Sequence, residues 1–344
     1  MSYHSWGEEM GSLFKVGFLG VAHFHADSYA RALRKLPDTE IVGAFDDDTS
    51  LGKKFCEDFK TEYYRSASQL LDKELDAVII TSENFKHYEC IIQALDKGLN
   101  ILCEKPMTTN LRDAEDVVAR VEKQKVVFQM CYVMRYHTVS SLVKELIDSG
   151  GVGKLISLVG TNKLNRSLPL LRRWFTDPRL SGGGAVMDHT VHLADLMRWY
   201  TGDEVDEVYT EIGKKVNNSL MVEDNFFTTI RFRGDVIGHI DGSWTYASGL
   251  YTWGDVRMEI VGTDGALFMD AFRQNVYYIG DRQPNDKLSW SYYGCDPDLA
   301  MITDFKKCVQ ENKQPRATVK DGYEGVRISL ASYESSRRGA PVKP

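Results

Sequence analysis

The first third of the chain alternates short, uninterrupted apolar runs with stretches of helical spacing. Residues 14–20 (FKVGFLG), 40–46 (EIVGAFD), 76–82 (DAVIITS), 100–105 (NILCEK) and 126–132 (VVFQMCY) have the composition of strands buried on both faces. Helical patterns lie between them, among them residues 25–36, HYECIIQALDKG and LRDAEDVVARVEKQ. Buried strands alternating with helices predict a parallel sheet covered on both sides, and right-handed crossovers make it doubly wound. Beyond a helix over 138–149, which ends in the glycines at 150 and 151, the pattern changes. VDEVYTEIGKKV, DNFFTTIRFRGDVIGHIDGSWTY, VRMEIVGTDGALFMDA and NVYYIGDR are longer strand segments, with turn signals at Arg233-Gly234-Asp235 and Thr263-Asp264-Gly265. They predict a large, open, mostly antiparallel sheet, and helices near 297–312 and 321–337 close the chain. The expected fold class is α/β: a doubly wound parallel domain over 1–134, then an α+β domain over 135–344 for substrate and oligomerisation.

A length of 344 residues fits two cores rather than one. The net charge of -7, with no basic stripe, argues against nucleic acid as a partner. Six scattered cysteines show neither a C-x-x-C pair nor zinc spacing, which suits reduced thiols in a cytoplasmic protein. The first twenty residues lack the pattern of a signal peptide, and no apolar run approaches a membrane span.

Two stretches carry candidate chemistry. VGFLGVAHFHADSYARAL follows the first strand and opens the first helix, as a dinucleotide-binding turn does. The G-x-G-x-x-G fingerprint falls on Gly20, Ala22 and His25, so one glycine of three is kept, and a histidine crowds the place of the third. Asp46 ends the second strand, where a carboxylate accepts from ribose hydroxyls and repels a 2′-phosphate. DDDTS holds no lysine or arginine for that phosphate, so NAD is expected over NADP. His23 and His25 alternatively serve as polar residues at a helix start, and a metal on that pair lacks a third ligand in the sequence. The second stretch, GGGAVMDHTVHLADLMRW, gathers Asp188, His189 and His192 behind three glycines. Either Asp188 caps a helix, or it shares a helical face with His192, one turn on, in an acid–base centre.

ILCEKPMT (101–108) adds a resemblance to a known family. SENFKH with Asn84 and His87, then Glu104-Lys105-Pro106, then RRWFTDPRLSGGGAVMDHTVHLADLMRWYTG are similar, in that order, to motifs of the glucose–fructose oxidoreductase / inositol dehydrogenase (Gfo/Idh/MocA) family. VMRYHTVSSLVKELIDSGGVGKLIS, EIVGTDGAL and DGYEGVRISLASYES extend the likeness over nearly the whole chain. Glu83 stands where that family's strand-four loop has proline.

The resemblance implies a Rossmann-type NAD domain and a dehydrogenase acting on a hydroxyl of a sugar, polyol or sugar derivative. His192 matches the family's catalytic histidine, a side chain suited to take a hydroxyl proton. Lys105 would stabilise the developing alkoxide, and Asp188 would orient the ring or hold a substrate hydroxyl. The three glycines would let backbone approach a ligand closely. Gly20, Ala22, His23, His25, Asp46, Ser82, Asn84, His87, Glu104, Lys105 and Trp174 are expected at the cofactor. Trp174 packs on the nicotinamide or belongs to the core. Arg135, Tyr136 and His189 are expected near substrate, Arg135 alternatively bridging the domains. No metal is expected. Two other readings compete: transient oxidation by a recycled NAD followed by elimination, and a redox-silent NAD-binding regulator. Apolar and aromatic residues on both faces of the second sheet (FFTTIRF, GSWTYASGLYTW) predict a homodimer or homotetramer through it.

Overall fold

In the computed structural model, which describes residues 13–250, 252, 254–278, 289–292 and 294–344, six strands form the first sheet. They are β1 (Phe14–Leu19), β2 (Thr39–Phe45), β3 (Glu62–Tyr63), β4 (Ala77–Ile80), β5 (Asn100–Cys103) and β6 (Phe128–Met130). All pair in parallel, in the order β3-β2-β1-β4-β5-β6. The helices α1 (His25–Leu33), α2 (Thr49–Asp58), α3 (Ala67–Leu71), α4 (His87–Asp96) and α5 (Leu111–Gln124) connect them. Helices on both faces leave β4 buried at every position, which is why its sequence is an unbroken apolar run. The order reverses between β1 and β4, and the carboxyl ends of those strands are where such sheets bind ligands.

From α6 (Thr138–Asp148) the chain enters a second sheet of β7 (Leu155–Asn165), β8 (Val205–Ile212), β9 (Asn225–Phe232), β10 (Ile237–Tyr246), β11 (Gly254–Gly262) and β12 (Ala266–Asp270). Its order is β12-β11-β7-β10-β9-β8. The expected turns join β9 to β10 and β11 to β12 as antiparallel pairs. β7, which the apolar pattern does not announce, is central, parallel to β10 and antiparallel to β11. A short α7 (Pro178–Ser181) precedes α8 (Ala185–Thr201), which is apolar and buried almost all round. Gly160 of β7 faces α8, and a Cβ there would lie 3.1 Å from Leu193 and 3.2 Å from Met197.

β13 (Asn275–Tyr278) and β14 (Ser289–Tyr292) pair apart from both sheets. The rest of the NVYYIGDR strand, the leader reading over residues 1–12, and Tyr251 and Trp253 of the aromatic segment lie outside the described residues. The closing helices α9 (Pro297–Glu311) and α10 (Val319–Arg338) return to the first sheet. Phe305 meets Phe14 edge-on at 6.4 Å, and the Met130 N–H donates to the Ala317 carbonyl at 2.9 Å. Among the described residues no helix is long and apolar enough to cross a membrane.

Candidate active site

The β1–α1 turn is tied to its neighbours by backbone bonds: the Gly20 N–H donates to Phe45 O at 2.7 Å and the His23 N–H to Thr81 O at 2.9 Å. Gly20 has φ +76°, and a Cβ on it would stand 2.4 Å from the Ser82 Cβ, so the kept glycine meets both a backbone and a packing demand. Ser82 therefore shapes this turn from behind. Asp46 is buried, with Oδ2 accepting from the Val21 N–H (2.7 Å) and Oδ1 from the Asp48 N–H (2.8 Å). Burial pushes its carboxyl up and these two donors pull it back.

His25 replaces the last glycine without blocking the helix start, because its ring turns towards Glu104. Its Nδ1 lies 3.1 Å from Glu104 Oε1, and the Tyr29 hydroxyl donates to Oε2 at 2.6 Å. Burial opposes a charge on Glu104, but His23, His25 and Lys105 hold its carboxyl well below the usual carboxylate range. Glu104 also supplies the third donor that the histidine pair lacks in the sequence: His23, His25 and Glu104 have the spacing of a metal site. The chemistry of His23 points elsewhere. Its Nδ1 accepts the His25 N–H at 3.2 Å, which leaves the ring proton on Nε2. That buried Nε2 faces Glu104 Oε1 at 3.7 Å and has no hydrogen-bond partner among the described residues. It offers an N–H where a metal needs a lone pair.

Lys105 leaves the end of β5 and forms a buried ion pair with Asp188 Oδ1. Asp188 Oδ2 accepts from the Trp244 Nε1–H at 2.9 Å and lies 3.1 Å from His189 Nε2. Burial works against this carboxylate, but Lys105 and His189 hold its pKa well below the ordinary value. His192 lies one turn further along α8. Burial, then the Lys105 charge, push its pKa down to about 3, so its imidazole is neutral at neutral pH. The His192 and His189 Nδ1 atoms are buried without partners among the described residues. The orphaned His23 Nε2 and Asn84 Oδ1 join them around this end of the sheet. Buried polar atoms of that kind are satisfied by a ligand or water, and together with the Gly20 turn and Asp46 they fit a dinucleotide.

The structure corrects the capping alternative and adds a packing demand at the glycines. Asp188 lies inside α8, and its oxygens serve Lys105, Trp244 and His189. The helix start is held instead by Glu223, whose Oε1 accepts the Gly184 and Val186 N–H groups, each at 3.0 Å, and the Tyr333 hydroxyl at 2.7 Å. The glycines admit protein closely: a Cβ on Gly183 would fall 1.9 Å from the Tyr333 hydroxyl, and one on Gly184 2.1 Å from Glu223 O, while both also line the small cavity beside Asp188. Glu223→Ala, which leaves buried helix-end donors open, is expected to cost about 1–3 kcal/mol of stability. Denaturant unfolding at neutral pH measures it.

Other expected residues separate into supports and site walls. His87 is a buried bracket, its Nδ1 2.7 Å from Pro106 O and its Nε2 3.2 Å from Ser82 O. Asn84 donates to Ser181 O at 2.7 Å and lines a small cavity with Asp188, Trp244, Phe175 and Met187. Trp174 packs on the nucleotide turn, donating to Ala22 O at 3.2 Å. Arg135 does not reach this cavity: its guanidinium grips Asp195 (2.7 and 2.6 Å) and Asp321 (2.9 Å), tying α8 and α10 together rather than bridging 1–134 to 135–344. The Tyr136 hydroxyl likewise donates to Asp304 at 3.2 Å. Both belong to the scaffold rather than to the pocket. Trp244, Glu223 and Tyr333 carry no local signal, since each acts across more than thirty-five residues of chain.

A doubly wound sheet with an acid after β2, a lysine after β5 and a histidine helix from the second domain define a dinucleotide-binding oxidoreductase. The description "Oxidoreductase family, NAD-binding Rossmann fold" of the GFO/IDH/MocA family matches residues 14–132, and that family's C-terminal domain matches residues 141–268. The chain belongs to the GFO/IDH/MocA family of NAD-binding oxidoreductases. It is 26% identical to a myo-inositol 2-dehydrogenase of Thermotoga maritima, covering 81% of this chain and 83% of that one. Identity with the scyllo-inositol 2-dehydrogenase (NAD(+)) of Bacillus subtilis is 27%, over 80% and 79% of the two chains. The crystal structure of scyllo-inositol dehydrogenase from Lactobacillus casei with NAD(H) and scyllo-inositol superposes with a TM-score of 0.83 at 19% identity, over 96% and 99% of the chains.

Proposed function

We propose that this protein is an NAD-preferring dehydrogenase that oxidises a hydroxyl-bearing carbon of a sugar, polyol or sugar derivative. The observation that carries the reading is the buried Lys105–Asp188 ion pair, with a neutral His192 one turn beyond it. The nicotinamide, when bound, accepts the hydride. His192 takes the hydroxyl proton, Lys105 stabilises the alkoxide that forms, and Asp188 holds the Lys105 ammonium in place. The Gly20 turn, Asp46 and Glu104 would hold the nucleotide, and the His23 Nε2–H donor and the His189 Nδ1 acceptor, both without partners among the described residues, would be open to the bound molecules. Residues 1–134 form the nucleotide domain and 135–344 the substrate domain, and the free thiols suit the cytoplasm. Two relatives are named for inositols, which supports a polyol. A panel of inositols, sugars and polyols, assayed for NADH absorbance with bound nucleotide identified by mass spectrometry, tests the reading. No NADH from any of them, with neither nucleotide bound, would refute it.

The same reading makes the second sheet an assembly surface. Large apolar side chains stand exposed on its strands, among them Ile156, Val159, Phe227, Ile237 and Phe268. Apolar patches of this kind are rare on monomers, and closed symmetric pairing covers them. Light scattering is expected to give a mass two or four times 39.0 kDa, and Phe227→Glu to reduce it. A monomer at micromolar concentration contradicts the expectation.

A further inference from the structure

The sequence around Asp46 offers no cation, yet the fold brings one there. Lys86, from the loop between β4 and α4, places its Nζ 2.7 Å from Asp47 Oδ2 and 3.2 Å from Glu83 Oε2. Asp46 feels both neighbours, Glu83 raising its carboxyl pKa and Lys86 lowering it. Asp47 is largely exposed, whereas Glu83 and Lys86 are mostly covered, so solvent screens their charges incompletely. Asp46, Asp47 and Glu83 thus carry three negative charges against one positive.

We infer that Glu83 is a second determinant of the preference for NAD over NADP: it holds Lys86 and its charge away from a 2′-phosphate. The inference rests on the dehydrogenase reading above, in which Asp46 takes the ribose hydroxyls. A phosphate monoester brings nearly two negative charges. It would meet the Asp46 and Asp47 carboxylates and a lysine already held by two acids. Freed from Glu83, Lys86 has one acid partner fewer, and its ammonium becomes a donor for the phosphate. Glu83 is thereby a selectivity device that works by occupying a cation, while Asp46 works by repulsion.

The test is fluorescence titration of the purified full chain with NADH and with NADPH. Glu83→Gln, nearly isosteric, is expected to tighten NADPH by about tenfold, the scale of one half-screened charge acting on a phosphate, and to leave NADH nearly unchanged. Lys86→Gln is expected to do the opposite, weakening NADPH further with NADH again unchanged. Both effects should shrink as salt rises. Opposite shifts in NADPH affinity, at matched melting temperatures, support the inference. If Glu83→Gln weakens both nucleotides alike, or both variants leave the NADPH-to-NADH ratio where it was, the inference is wrong and the dehydrogenase reading stands. Binding of neither nucleotide by the unmodified chain overturns both.

Discussion

Alanine in place of His192 is expected to lower kcat by roughly two to four orders of magnitude, the scale of a lost general base. Affinity for the nucleotide should stay near that of the unmodified protein, since the proposal places this ring at the substrate. The pH dependence distinguishes this from simple damage. A proton acceptor works in its neutral form, and burial followed by the Lys105 charge pushes His192 down to about 3. The acid limb of kcat/KM therefore falls below pH 6.5, the ordinary histidine midpoint. In His192→Ala that limb should vanish with the base. Stability carries the same sign. The folded chain resists a proton that the unfolded chain accepts, so the His192 contribution is complete above 6.5 and is lost as pH falls towards 3. A limb centred near 6.5, or near-normal turnover in the alanine variant, would place the base elsewhere.

The parts of this site readable in the sequence are those whose cause is local. Strands such as Ala77–Ile80 are buried on both faces, so they advertise themselves as apolar runs. Asp188 and His192 share a helical face by spacing alone, and Lys105 ends a strand. β7 escapes because the positions it presents to α8 include Gly160, kept small by Leu193 and Met197, which breaks the alternation a strand normally shows. β3 escapes because two residues carry no pattern. The glycines at 182–184 are visible, but their packing is not: Thr109 stands against Gly182, Tyr333 against Gly183 and Glu223 against Gly184, all from far along the chain. Lys86 shows the same limit. The stretch DDDTS holds no cation of its own, and the ion pair with Asp47 is made from beyond the carboxyl end of β4, with β1 lying between β4 and β2. Arg135 errs in the opposite direction. A charged residue just after the last parallel strand suggests a substrate ligand, yet two acids on α8 and α10 had already claimed it.

Removal of the Lys105 charge has the other large expected effect, and it should reach stability as well as turnover. Lys105 and Asp188 are both buried, so each ion depends on the other to offset its lost hydration. Lys105→Met leaves the carboxylate with the Trp244 and His189 donors alone. The expected loss is about 3–5 kcal/mol, the usual result of stranding one member of a buried pair. Turnover should fall by at least as much as for His192, because the alkoxide loses its counter-charge, and KM should rise with it. Asp188→Asn is milder for catalysis: its oxygens already serve Lys105, Trp244 and His189, so its task is holding the lysine rather than the substrate. The double variant separates charge pairing from packing. With both charges gone, Lys105→Met/Asp188→Asn should be more stable than the sum of the single losses by roughly 1–3 kcal/mol, a coupling expected of partners in contact. Urea unfolding of the four proteins at pH 7 gives that coupling directly. Additive losses would mean that the two side chains do not depend on each other as ions, and Asp188 would then be free to meet the substrate.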